Sequence, residues 1–133
     1  MMDNLSKDPL GHIKLSVSNF KKSKEFYTYL FKNLKFKQIS CSEKSIGWVT
    51  KEGFGIWIAP AKKINLRYKF SAPGLHHICF KACSKKQVDT IYTKIKNKTH
   101  VFDSPQKYPQ YTKKYYAVFF SDPDKIKLEV AYY

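Results

Sequence analysis

Two histidines and a glutamate carry the chemistry that this 133-residue sequence offers. His12 stands in Gly11–Val17, where Ile13, Leu15 and Val17 alternate with His12, Lys14 and Ser16. An alternation of period two predicts a strand with one apolar and one polar face. His77 stands in Leu75–Ala82, where Ile78, Phe80 and Ala82 alternate with His77, Cys79 and Lys81. In a last alternation, Lys125–Ala131, Leu128 and Val130 point one way and Glu129 the other, together with Lys127. Two imidazoles and one carboxylate from three strands suit a divalent first-row metal that keeps open positions. There a substrate oxygen or a water is bound and polarised. Each residue alone is ordinary, since a strand histidine is commonly hydrogen-bonded and a glutamate near a C-terminus is commonly solvated. The expectation therefore rests on His12 and His77 occupying matching positions, each followed by isoleucine. His76 has the parity of Ile78 and Phe80 and ranks behind His77, while His100 reads as surface.

The elements that must position these residues occur twice. After Gly11–Val17, Ser18-Asn19 offers a helix cap, and Phe20, Ser23, Tyr27, Leu30 and Phe31 recur at helical spacing. Three short strand candidates follow, Phe36–Cys41, Ile46–Thr50 and Gly55–Ala59. Residues 62–73 read as a lysine-rich linker closed by Pro73-Gly74. Then the order restarts with Leu75–Ala82. Ser84 and Gln87 have the spacing of a capping box, and Val88, Ile91, Tyr92 and Ile95 make a helical stripe. Strands are expected at Thr99–Phe102, Tyr115–Phe120 and Lys125–Ala131, with Asp122-Pro123-Asp124 turning before the last. The first strands repeat after 65 residues, His12 to His77, which marks one β-α-β-β-β unit used twice. Residues 105–114 read as an insertion forming a lid or rim loop, with Tyr108 and Tyr111 at its opening.

Composition narrows the partners. The net charge of +15 invites a nucleic-acid reading, yet Arg67 is the only arginine and the lysines are scattered. Base readout favours the planar arginine fork, so no specific nucleic-acid partner is expected and most lysines read as solvated surface. Three cysteines, Cys41, Cys79 and Cys83, form no C-x-x-C pair, which disfavours a zinc ribbon or a disulfide framework and fits a cytoplasmic location. Residues 1–10 are polar, without an apolar signal core, and no apolar run approaches a membrane span.

Other residues share the candidate face. Lys14, Lys81 and Lys127 have the parity of His12, His77 and Glu129, and cations beside a metal suggest an anionic substrate. The competing reading extends them past the rim into water. Tyr115 and Tyr116 open the strand beside Glu129, and parity along YYAVFF leaves open which one faces the site. Such a phenol either hydrogen-bonds a substrate oxygen or transfers a proton. We expect Tyr115 in the catalytic role and Tyr116, Lys14 and Lys127 in substrate binding.

The stretches GHIKLSVSNFKKSKEFY, GLHHICFKACSKKQVDTIY and YYAVFFSDPDKIKLEV cover nearly the whole chain. They resemble the vicinal oxygen chelate proteins, the group of glyoxalase I, bleomycin-resistance proteins, fosfomycin-resistance enzymes and extradiol dioxygenases. The resemblance implies an α+β fold in which two paired βαβββ modules form a concave metal cup, often in a homodimer. One domain, residues 1–133, would hold module one at about 10–60, the linker at about 61–73 and module two at about 74–133. The family's ligand positions fall on His12, Trp57, His77 and Glu129. Tryptophan cannot ligate, so the four-ligand pattern of glyoxalase I is not expected, and the three remaining groups match the dioxygenase and fosfomycin-resistance patterns better. Trp57 would instead wall the cup and stack on a ligand, or simply pack. Lys125 stands where the family usually has glycine after Asp-Pro-Asp.

The expectation is a divalent-metal enzyme (Mn, Fe, Zn or Ni) acting on a small oxygen-chelating substrate, of lyase, thiol transferase or dioxygenase type. The alternative is a metal-free small-ligand binding or drug-sequestering protein of the bleomycin-resistance type.

Overall fold

The computed structural model describes residues 9–133, so the reading of residues 1–10 as a polar start lies, but for Pro9 and Leu10, outside the described residues. The chain divides into two compact units, the first ending at Asn65 and the second running from Leu66 to Tyr133. Each holds one helix and a four-stranded mixed sheet.

The first unit runs β1 (His12–Val17), α1 (Phe20–Asn33), β2 (Lys37–Cys41), β3 (Ile46–Val49) and β4 (Gly55–Pro60). Its sheet order is β1-β4-β3-β2, with β1 parallel to β4. Asn19 starts α1: its side-chain oxygen accepts from the Lys22 N–H at 3.0 Å, satisfying a donor the helix itself cannot pair. Ser23, Tyr27, Leu30 and Phe31 form the buried face. The helix stops where Lys35 turns to φ 62 and the Phe36 N–H closes on the Phe31 carbonyl at 2.8 Å. That left-handed residue is usually glycine. Here the Phe31 and Phe36 rings, stacked at 4.8 Å, clamp the turn.

The second unit repeats the order with β5 (Ile78–Lys81), α2 (Lys85–Ile95), β6 (Val101–Lys107), β7 (Tyr116–Ser121) and β8 (Lys127–Tyr132). Its sheet order is β5-β8-β7-β6, with β5 parallel to β8. Ser84 caps α2 by accepting the Gln87 N–H at 3.0 Å, while the Gln87 side chain accepts from Cys83 at 2.7 Å, one residue earlier than a reciprocal box requires. Val88, Ile91 and Ile95 are buried under the sheet, and Tyr92 only partly. The duplication extends to register: β1 sets Lys14 opposite Trp57 as β5 sets Cys79 opposite Glu129.

Three expectations are corrected. The strand expected from Leu75 begins at Ile78, because the Tyr68 hydroxyl, 2.8 Å from the carbonyls of both Leu75 and His76, takes acceptors that a longer strand would offer its neighbour. The insertion expected from Pro105 begins later, since β6 runs through Pro105 to Lys107. β6 is an edge strand with register shifts on either side of Asp103, where a proline without an N–H is tolerated. Finally, both faces of β8 are buried, so Glu129 lies on no solvated face. Ala117, Phe119 and Ala131 pack together on its side, covered in part by Tyr108 and Tyr115. At the Asp122 turn, Lys125 adopts φ 64, the conformation for which glycine is the easier residue. No helix among the described residues is long and apolar enough to cross a membrane.

Candidate functional site

In the second unit the candidate site is built around one buried carboxylate. β8 places Glu129 between Phe119 of β7 and Cys79 of β5 in the hydrogen-bonded ladder. Only 2% of Glu129 is exposed. A buried carboxylate costs several kcal/mol, on the order of its lost hydration, unless its oxygens are satisfied. Both are. His77 Nε2 lies 3.0 Å from Oε2, and the Tyr115 hydroxyl donates to Oε1 at 2.5 Å. The other ring nitrogen of His77 lies 2.8 Å from Nδ1 of His76, one carrying the hydrogen and the other accepting it. The Phe119 ring meets His77 edge-on at 5.9 Å and Tyr108 at 5.6 Å. Tyr115 stacks on Tyr133 at 4.8 Å and meets Tyr111 at 5.2 Å.

This packing keeps the neighbouring acids neutral. Desolvation, then the bond to Glu129, raises the pKa of Tyr115 well above the ordinary phenol value. Desolvation, then the Glu129 charge, pushes the Cys79 thiol up to about 12, although the residue keeps exposed surface. Desolvation also raises Tyr108 and Tyr133, with Glu129 contributing to each. At neutral pH Tyr115 is thus a hydrogen-bond donor. Lys81 lies 4.4 Å over the Tyr133 ring, and Lys127 lies among Phe70, Phe102 and Phe119.

In the first unit His12 pairs with Gly55 and Lys14 with Trp57. Strand alternation puts His12, Lys14 and Trp57 on one face, the counterpart of the His77 and Glu129 face. Trp57 lies flat over Gly47, where a Cβ would come within 2.5 Å of the indole. At Gly55 a Cβ would stand 3.1 Å from that of His12. His12 and Lys14 are exposed, and Trp57 is half-buried.

Of the two tyrosines whose parity was open, Tyr115 reaches Glu129. Tyr116 donates instead to Asp89 of α2 at 2.6 Å, on the helix side of the sheet, and is not brought to the carboxylate. His76, ranked second, touches His77 directly. Phe119, Phe70, Phe102 and Tyr133 were not singled out from the sequence. Phe119 was accessible there: a hairpin turning at Asp122-Pro123-Asp124 sets it opposite Glu129. Phe70 was not, because it lies in the segment read as linker. A cavity of about 460 Å³ beside the start of α2, lined by Ser84, Lys85, Lys86, Lys114 and Tyr132, is separate from this cluster.

The donor set fits part of a metal site. His77 Nε2 and Glu129 Oε2, 3.0 Å apart, have the spacing of neighbouring donors around one ion with bonds of about 2.0–2.2 Å. Among the described residues no group of three His, Cys, Asp or Glu side chains is gathered for a metal, so the pair supplies two positions.

Residues 9–130 match the family model of the Glyoxalase/Bleomycin resistance protein/Dioxygenase superfamily. The chain is 34% identical over 124 residues to the uncharacterized protein YqjT of Bacillus subtilis (strain 168), covering 91% of this chain and 96% of that one. A Bacillus halodurans structure ascribed to the glyoxalases superposes with a TM-score of 0.82 at 20% identity, over 96% of this chain and 97% of that one. The fosfomycin resistance protein FosX of Listeria monocytogenes superposes with a TM-score of 0.69 at 20% identity, over 95% and 93%. At such identities the structural likeness speaks for the fold alone.

Proposed function

Because the chain belongs to the Glyoxalase/Bleomycin resistance protein/Dioxygenase superfamily, we propose that it is a divalent-metal-dependent enzyme with His77 and Glu129 as two of its metal ligands. The observation that supports this most is the buried Glu129 carboxylate with an imidazole nitrogen 3.0 Å away. The bound ion would act as a Lewis acid toward the oxygens of a small chelating substrate. Tyr115 fixes the orientation of the carboxylate through Oε1, as outer partners of metal ligands do. Its proton stays on the phenol at neutral pH, so the bond to Oε1 is kept and the phenol oxygen is left as an acceptor. His76 fixes the His77 ring from its other side. The set needs a further donor beyond these two, and the sequence expectation of His12 as a ligand is tested separately. On family grounds the protein is read as a cytoplasmic homodimer.

Metal content and titration of tag-free protein test this with Mn²⁺, Fe²⁺, Zn²⁺ and Ni²⁺. The expected result is stoichiometric uptake of one of these ions, lost in His77→Ala and Glu129→Gln and weakened in His12→Ala. Absence of stoichiometric uptake of all four ions refutes the reading.

A second reading, metal-free binding of a small ligand, is favoured by one observation: both Glu129 oxygens are already satisfied within the unit. It requires ligand binding, followed by tryptophan fluorescence, that neither a chelator nor His12→Ala alters.

A further inference from the structure

Lys127 lies two residues before Glu129 on β8, on the same face of the strand. Its ammonium stands 4.9 Å from the ring centre of Phe70, 5.1 Å from Phe119 and 5.6 Å from Phe102. A cation is attracted to the face of an aromatic ring, so three such contacts together restrain a side chain that is otherwise among the most mobile. The cage is itself held in place. The Tyr68 hydroxyl bonds back to the carbonyls of Leu75 and His76, and the Phe70 ring packs edge-on against His76 at 5.4 Å. Phe119 joins the cage to the site, since it also meets His77 at 5.9 Å.

Aromatic rings stabilise a cation without neutralising it. Glu129 is ion-paired with His77, and both oxygens of that carboxylate are already bonded. Asp103 shares this face through its pairing with Phe119, yet makes no ion pair with Lys127. Lys81, also on the face, lies over Tyr133. The result is a positioned, half-buried ammonium, with its charge uncompensated, beside the His77–Glu129 pair.

We propose that Lys127 is an anion anchor, binding an oxyanionic group of the substrate, such as a carboxylate, beside the His77–Glu129 pair. Lysine is a point charge with three donors and imposes no planar geometry, so the recognised chemistry is the negative oxygen. The assignment rests on reading this face as the substrate site, but not on a bound metal.

The test uses the full chain treated with a chelator, titrated with malonate and with its neutral analogue malonamide, and followed by amide NMR. Malonate is expected to shift the signals of Phe119, Lys127 and Glu129, and malonamide to leave them in place. Lys127→Met keeps the stem among the rings and removes the charge, and should weaken malonate binding at least about tenfold. Lys127→Arg should hold it within about threefold. Metal titration of Lys127→Met then separates the two readings: unchanged metal uptake with malonate binding lost supports the anchor. Failure of metal uptake in the wild type refutes the metal reading alone. Malonate binding as tight in Lys127→Met as in the wild type, shifts confined to other parts of the chain, or equal binding of malonamide overturns the proposal.

Discussion

Removing one oxygen atom at Tyr115 probes the site most directly. In Tyr115→Phe the ring keeps its stacking on Tyr133 and its contact with Tyr111, while Glu129 Oε1 loses the donor at 2.5 Å. Hydrogen bonds to charged groups contribute about 1.5–3 kcal/mol, and the full amount applies where, as here, the abandoned partner is buried. We expect a loss of about 2 kcal/mol, which for a chain of this length lowers the melting temperature by about 8 °C. Tyr116→Phe is the matched control, because its partner Asp89 is solvent-exposed and the same atom there should cost less than about 1 kcal/mol. The pH dependence has a defined sign. The folded-state pKa of Tyr115 is raised, so its stabilisation is complete below the unfolded phenol value of 10 and is lost as pH rises through the raised value. The gap in melting temperature between wild type and Tyr115→Phe should therefore be constant from pH 7 to about pH 10 and narrow above it. Calorimetry across that range decides the matter. A Tyr115→Phe variant no less stable than Tyr116→Phe would falsify the claim that Tyr115 satisfies a buried charge.

Two further outcomes follow from the same geometry. With a pKa of about 12, Cys79 should be thiolate in only about one molecule in ten thousand at pH 8. Ellman's reagent should then label Cys41 and Cys83 quickly and Cys79 slowly, and three equally fast thiols would contradict the desolvation of that sulfur. Gly47→Ala should destabilise the first unit by about 1–3 kcal/mol, because the new methyl group lands within 2.5 Å of the Trp57 ring. The penalty should shrink when Trp57→Ala is added, and denaturation midpoints of the two single variants and the double variant measure the coupling.

Much of the fold was legible because it repeats. Alternation located β1 and β8, helical spacing located α1 and α2, and the repeated His-Ile pair singled out His12 and His77 as candidates. What escaped depends on neighbours remote in sequence. The late start of the strand expected from Leu75 reflects Tyr68, and the persistence of β6 through Pro105 reflects its place at the sheet edge. Parity could not separate Tyr115 from Tyr116, because both faces of β7 are buried and the apolar pattern is continuous.

By itself, then, the sequence determined the twofold βαβββ order, the two helical caps and the types of group available for chemistry, because these follow from local periodicity and local hydrogen bonding. Only the tertiary structure decided that Glu129 is buried, that Tyr115 rather than Tyr116 bonds to it, and that Lys127 is held by three phenylalanines. Those outcomes depend on which side chains from separate strands and loops meet in space. Burial then sets the strength of each charge and each hydrogen bond.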